Sequence, residues 1–221
     1  AEVITSEEIG KRIGQLNILF WDACVYSHFS ISINRFICIT FPLKASTFFT
    51  PRVIGIFIGV PWLLACFHIG PYFWVEQCYI AYDAESWTWN FALTECGNII
   101  SMYFDFTTGM VVMGLMICFD MGTLFNLRRL HKEAALSRGD FSRKRALETK
   151  FFMQSLCQSA IFAFELSSFY FISTLAKDKW QMFWLTTMAW VGCHAGDGLI
   201  LDLFHAKKAL QRRDRSTVTQ G

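Results

Sequence analysis

Ile13-Gly14-Gln15-Leu16-Asn17-Ile18-Leu19-Phe20 opens, and Asn34-Arg35-Phe36-Ile37-Cys38-Ile39-Thr40-Phe41-Pro42-Leu43 closes, the apolar run that decides how the rest of the chain is read. About 25 mostly apolar residues suffice for a helix to cross a bilayer. The run also carries Asp22 in its first half, His28 near its middle and Arg35 near its end. An Asp or Arg in hydrocarbon costs about 2.5–3.5 kcal/mol, so these side chains must face other helices or water. A helix polar along one stripe reads as the central pillar of a membrane bundle.

Composition points the same way. The chain has 221 residues, 53% hydrophobic and 17% aromatic, with a mean hydropathy of +0.34, too apolar for an ordinary soluble domain of this size. A window of about 19 residues marks five candidate spans, at 13–40, 52–75, 98–125, 151–175 and 181–204. The net charge of +2 decides nothing, but its placement does. Lys and Arg gather around Arg35, Lys44 and Arg52, over 128–150 and over 207–215, whereas the connection 76–95 holds Glu76, Asp83, Glu85 and Glu95 and no base. The positive-inside rule then puts residues 1–12 outside as a connection, the bundle at 13–205, and 206–221 inside as a basic cytoplasmic tail. An odd number of spans satisfies that arrangement.

Between the spans, the sequence offers polar features with more than one meaning. Pro42 and Pro51 bound a short basic connection, since Pro ends one helix and opens the next. In 52–75, Gly55 and Gly59 would let a neighbouring helix come close, and His68 is either a packing polar residue or a ligand contact. The loop 76–91 alternates Tyr79, Trp87, Trp89 and Phe91 at strand period, which predicts a hairpin serving as an interfacial aromatic belt or as a lid. Asp105 and Asp120 lie fifteen residues apart, near one helix face. Glu165 is a lone acid within a span, a functional-site signal by default. The basic run Arg128–Lys150 is a solvated loop near anionic lipid or a docking surface.

No Cys-x-x-Cys occurs, and His28, His68, His131, His194 and His205 lie on separate elements, so no local metal cluster is visible. Gly-rich phosphate loops and Gly-x-Ser-x-Gly elbows are missing too. No cofactor, no enzyme activity and no nucleic-acid partner is expected.

The spacing of Asn34, Arg35, Phe36, Ile39, Pro42 and Leu43 resembles the cytoplasmic end of the third helix of G-protein-coupled receptors. The form Ile33-Asn34-Arg35-Phe36 is similar to that of the nematode chemoreceptors of serpentine receptor class X. Two further stretches carry the resemblance: Cys78-Tyr79-x-x-Tyr82-Asp83 through Trp89-x-Phe91 to Cys96, and His194-x-x-Asp197-Gly198. It implies an all-α transmembrane bundle, here five spans of a seven-helix fold covering helices three to seven, with residues 1–12 as the connection from a preceding helix. In most rhodopsin-like receptors the outside-loop Cys pairs with one at the top of the third helix. Residues 1–20 hold no Cys, which favours Cys78 with Cys96, the alternative being two free thiols; the other six read as small core hydrophobes.

The resemblance also implies a function. A chemosensory receptor of a sensory-cell plasma membrane, N-terminus outside and C-terminus cytoplasmic, would take a small molecule or peptide from outside and signal to a heterotrimeric G protein. Asn34, Arg35, Phe36, Ile39, Pro42, Leu43, Asp197 and Gly198 would form the switch and G-protein face, although Arg35 could merely snorkel to headgroups and Asp197 could merely pack. Asp22, His68, Asp105, Glu165, Trp87 and Trp89 would line the ligand cavity. Asn34 in place of an acid predicts a weak inactive-state latch on Arg35. The Trp and Pro hinge usual in the sixth helix is missing, as is the last-span Lys that retinal needs. Two other readings stand beside this one: a transporter or channel piece with an acid-lined path, and a non-signalling truncated relic.

Overall fold

In a computed structural model the chain is described over residues 7–74, 77–135 and 141–218, with the side chains of 7, 46, 74, 131–135, 141–148, 151 and 205–218 left aside. Helix α1 (Glu7–Thr40) is followed by the short α2 (Pro42–Phe48), α3 (Pro51–His68) and the short α4 (Gly70–Trp74). Strands β1 (Ile80–Asp83) and β2 (Thr88–Phe91) pair antiparallel, with Ile80 opposite Phe91. A third rod runs through α5 (Glu95–Ile99), a π-helical stretch Ile100–Thr107 and α6 (Thr108–Ala135). Then come α7 (Phe141–Tyr170), a 3₁₀ turn (Ile172–Leu175), and a last rod of α8 (Lys179–Phe183), a π-helical turn (Trp184–Met188) and α9 (Ala189–Val218).

Local chemistry sets these boundaries. Thr50 caps α3 by accepting the Val53 N–H, with Pro51 at the first helical position where its missing N–H costs nothing. Thr94 caps α5 through Gly97 N–H, and Asp178 caps α8 through Gln181 N–H at 2.8 Å. The π-helical stretch is held by threonines: Thr107 and Thr108 donate to the carbonyls of Met102 and Tyr103, each five residues back. Wider turns of this kind re-aim side chains, and here Asp105 turns into the interior.

The α1 rod is the pillar: it packs on α3, α6, the hairpin and α7, while α7 in turn packs on α6 and α9. At 34 residues it is about 50 Å long. It is already helical before residue 13, where its first described turns have partners, Lys11 over the Tyr79 ring and Arg12 over Phe73. The hairpin sits against this end. A Cβ on Gly14 would fall 2.1 Å from the Ile80 carbonyl oxygen, so only glycine lets the strand approach. Arg35 lies 21 residues further along the same helix, hence about 30 Å from the hairpin and at the opposite end of the bundle.

Polarity is inverted relative to a soluble protein. Gln15, Asp22, Ser32, Asp105, Asp120, Gln158 and Glu165 are buried, while Ile58, Phe67, Val111 and Leu203 are exposed. Soluble domains bury Ile and Phe and keep Asp and Glu outside; a chain whose solvent is hydrocarbon does the reverse. Among the described residues, Pro51–His68 and Glu95–Leu130 are long and apolar enough to cross a bilayer, and most of their side chains face outward. The fold is an all-α membrane helix bundle.

Three expectations need correction. Gly55 and Gly59 meet no neighbour among the described residues, since none lies within 4 Å of a Cβ placed on either. Of the six cysteines outside the disulfide only Cys193 is buried, and Cys66 and Cys118 are exposed. Trp87 does not continue the strand alternation: it occupies the turn at φ 59°.

Candidate functional site

Beneath the hairpin, two aromatic-rich strands roof a set of buried acids. Cys78 and Cys96, with Cα atoms 5.2 Å apart, are joined by a disulfide that closes the connection on itself. Thr187 donates to the Trp87 carbonyl at 2.9 Å, and the Trp87 ring packs edge-on against Trp180 with Lys179 over its face. The hairpin is thus fastened at one edge to the start of α1 and at the other to the start of the last rod. At its tip, Asp83 accepts from the Ser86 hydroxyl at 2.6 Å and from the Glu85 N–H at 2.9 Å. These bonds, the hydroxyl's first, hold its carboxyl below the usual range.

A small cavity of about 30 Å³ lies under this roof, lined among others by Trp21, Ile80, Trp89, Asp105, Glu165 and Tyr170. It has room for one or two waters. Tyr170 donates to Asp105 Oδ2 at 2.6 Å, and Asp105 lies in electrostatic range of both Asp22 and Glu165. Asp22 and His68 stand behind the cavity rather than on its wall. His68 Nδ1 shares a hydrogen bond with Tyr26 Oη at 2.8 Å and lies 3.6 Å from Asp22 Oδ1, tying α3 to α1.

Five buried polar atoms in this region have no hydrogen-bond partner among the described residues: Asp22 Oδ2, His68 Nε2, Tyr72 Oη, Asp105 Oδ1 and Glu165 Oε2. Unsatisfied buried polar atoms are rare because each costs about 1–3 kcal/mol. Their concentration at one end marks the place where a polar molecule gains most. Of the sequence-derived cavity set, Asp22, His68, Asp105, Glu165 and Trp89 come together there, whereas Trp87 packs away from the cavity.

At the opposite end, Asn34 accepts from the Cys38 thiol at 3.7 Å, Phe36 packs on Phe119 and presses its ring against Gly122, and Ile39 is buried. Pro42 opens α2, and Leu43 is 91% exposed. Arg35 is half-buried with Nη1 unpartnered, in electrostatic range of Asp120 on α6. Asp120 itself accepts from Ser32 at 2.8 Å. No acid adjoins Arg35 at position 34, but Asp120 comes into its range from α6. A signal was present, since Asp120 sits near the end of a span where an acid needs a reason. Lys132, Arg138, Arg143, Lys144, Arg145 and the tail's basic residues lie outside the described side chains, as do residues 1–6 and Glu76.

Between the two ends, His28 Nε2 lies 3.3 Å from Asp197 Oδ1, which also accepts from Gln158 at 2.7 Å. Gly198 lies on the exposed face of α9 with open space around it. Phe162, fully buried, packs on Trp21 and on the rings of His28 and His194.

No solved structure matches the chain. Two relatives from Caenorhabditis elegans are similar to it. Serpentine receptor class X 45 is 28% identical over 91% of this chain and 60% of its own length. Serpentine receptor class X-43 is 24% identical over 89% of this chain and 62% of its own. The chain thus spans about 60% of the length of the curated relatives it matches. The sequence model of the family described as serpentine-type 7TM GPCR chemoreceptor Srx matches residues 3–205. A buried polar interior inside an apolar exterior, a disulfide-closed hairpin at one end and Asn34-Arg35-Phe36 at the other agree with that match, and the chain belongs to this family of multi-pass membrane chemoreceptors.

Proposed function

We propose that this chain is the ligand-binding and signalling part of a chemosensory G-protein-coupled receptor. All five rods cross the membrane, with the hairpin end outside and the Arg35 end cytoplasmic; residues 1–12 form an outer connection and 206–221 an inner tail. The ligand is a small molecule rich in hydrogen-bond donors, a primary amine above all, which enters under the hairpin and bonds Asp105 and Glu165. Binding favours one of two packings of α1 against its neighbours. The other end, from Asn34 through Leu43 with Asp197 near mid-membrane, passes the change to a heterotrimeric G protein.

One observation carries this reading: the five partnerless buried polar atoms beneath the hairpin, three of them carboxylate oxygens. A cation relieves repulsion among three acids and satisfies acceptors that the protein leaves open. Because the present cavity holds only one or two waters, the hairpin has to lift or Trp89 repack on binding.

The test is thermal stabilisation of the chain in lipid nanodiscs by a panel of small amines, neutral isosteres and carboxylic acids. Amines should raise the melting temperature, and Asp105→Asn with Glu165→Gln should abolish the effect. Stabilisation by acids or purely apolar compounds instead would overturn the proposal. Coupling is tested in the full-length receptor, where Leu43→Ala should reduce G-protein activation without changing amine binding.

A further inference from the structure

Mid-bundle, between the hairpin and the Arg35 end, stands a second constellation, of which the proposed function uses only Asp197. Cys24 and His28 are four residues apart on α1, the spacing that stacks two side chains on one helix face. Asp197 on α9 faces them. The thiol sulfur of Cys24, an imidazole nitrogen of His28 and a carboxylate oxygen of Asp197 lie within 4.8 Å of one another. No metal cluster is legible in the sequence, because two rods distant in the chain supply the set.

We propose that Cys24, His28 and Asp197 bind a transition-metal ion, zinc first, that ties α1 to α9. Ligand type argues for it: a thiolate, an imidazole and a carboxylate together suit a borderline-soft ion and not magnesium or calcium, which take oxygen. Geometry agrees. Nitrogen and oxygen ligands at about 2.0–2.1 Å from a tetrahedral zinc stand about 3.3 Å apart, and His28 Nε2 and Asp197 Oδ1 are separated by 3.3 Å. Gln158 donates to Asp197 from α7 and fixes the carboxylate, the supporting contact that metal ligands ordinarily have. His194, one turn before Asp197, lies in electrostatic range of His28 and Asp197 but outside the set of close donor atoms; a water takes the fourth position. Coordination replaces the Cys24 thiol proton, which leaves to the buffer. All three ligands are half-buried, so the ion reaches them without unfolding the bundle.

The experiment titrates the untagged chain in detergent micelles with cobalt(II), a spectroscopic substitute for zinc. One equivalent should produce a thiolate-to-cobalt charge-transfer band and tetrahedral d–d bands, all removed by stoichiometric zinc. Cys24→Ser should abolish the charge-transfer band, and His28→Gln and Asp197→Asn should each weaken binding at least tenfold. Cys66→Ser and Cys118→Ser should change nothing. A measurement on the unaltered chain guards against a variant that fails to fold: one equivalent of zinc should slow maleimide labelling of Cys24, read by peptide mass, and leave Cys66 labelling unchanged. Absence of the band, its survival in Cys24→Ser, its loss in Cys66→Ser, or unprotected Cys24 would each overturn the site.

Discussion

Arg35 and Asp120 show how much a single side chain decides in a low-dielectric interior. Asp120 is held by Ser32, Arg35 keeps one nitrogen unpartnered, and the two are close enough to attract. Neutralising the acid removes that restraint, so Asp120→Asn in the full-length receptor should raise basal G-protein signalling roughly fivefold, the lower end of ordinary coupling energies. Asn34→Asp, adding a second acid beside Arg35, should lower it. Unchanged basal signalling in a cell-based reporter for both variants would show that this arginine is not part of the switch. A second residue-scale prediction concerns pH at the hairpin tip. The Asp83 carboxyl is held below its ordinary 3.8 by the Ser86 hydroxyl and the Glu85 N–H, so the charged form is favoured in the folded hairpin. The bonds are fully present above pH 3.8 and fade as pH falls through the lower folded value. The Glu85 amide proton in an NMR titration should therefore shift with a midpoint below 3.8, and Asp83→Asn should remove the transition.

At the scale of elements, the hairpin was the most legible part of the chain. Two cysteines bracketing an acidic, aromatic stretch with strand-period spacing announced two paired strands, and the pairing Tyr82 with Trp89 follows. Trp87 was misread because alternation continues on paper through a turn that the backbone enters at positive φ. The π-helical turns were not legible: a widened turn leaves no periodic mark over 5 or 8 residues, though Thr107 and Thr108 were the side chains that sustain one. Gly55 and Gly59 permit a close approach, yet no described residue makes one. Gly14 looked unremarkable in sequence and turned out to be where the hairpin touches α1. Gly14→Val should lift the hairpin from that helix, and Cys78→Ser should free its ends. The disulfide closes a loop of 18 residues, worth about 3 kcal/mol by loop entropy. Amide exchange at Tyr82 and Trp89 should accelerate at least tenfold in each variant, while exchange at Val112 and Met113 in the core of α6 stays slow. Equal acceleration in α6 would mean that the hairpin is not a separable lid.

For the molecule as a whole, the inversion of polarity is the feature from which the others follow. Acids that would be ruinous on a lipid-facing surface are tolerable inside, where Tyr170, Tyr26, His68, Ser32 and Gln158 surround them, and the apolar exterior has no other solvent to satisfy it. The pillar role of α1 was readable from Asp22, His28 and Arg35, because intramembrane polar groups have to face inward. Which partners they would meet was not readable, since His68 lies 46 residues beyond Asp22, Asp120 85 beyond Arg35 and Asp197 169 beyond His28. A lipid carrying a photoactivatable carbene precursor in its acyl chain separates this arrangement from any water-facing one. In vesicles it should label Phe67, Val111 and Leu203, which are 73%, 56% and 60% exposed, and spare Met116 and Phe162, which are buried against Trp21 and Val25. Introducing a charge should follow the same division. Val111→Arg faces hydrocarbon and should cost about 2.5–3.5 kcal/mol of insertion free energy, read as a fall in the inserted fraction in a glycosylation-mapping assay. Uniform labelling of both groups, or full insertion of Val111→Arg, would mean that the exposed Ile, Phe and Val side chains meet something other than lipid, and the multi-pass bundle would have to be abandoned.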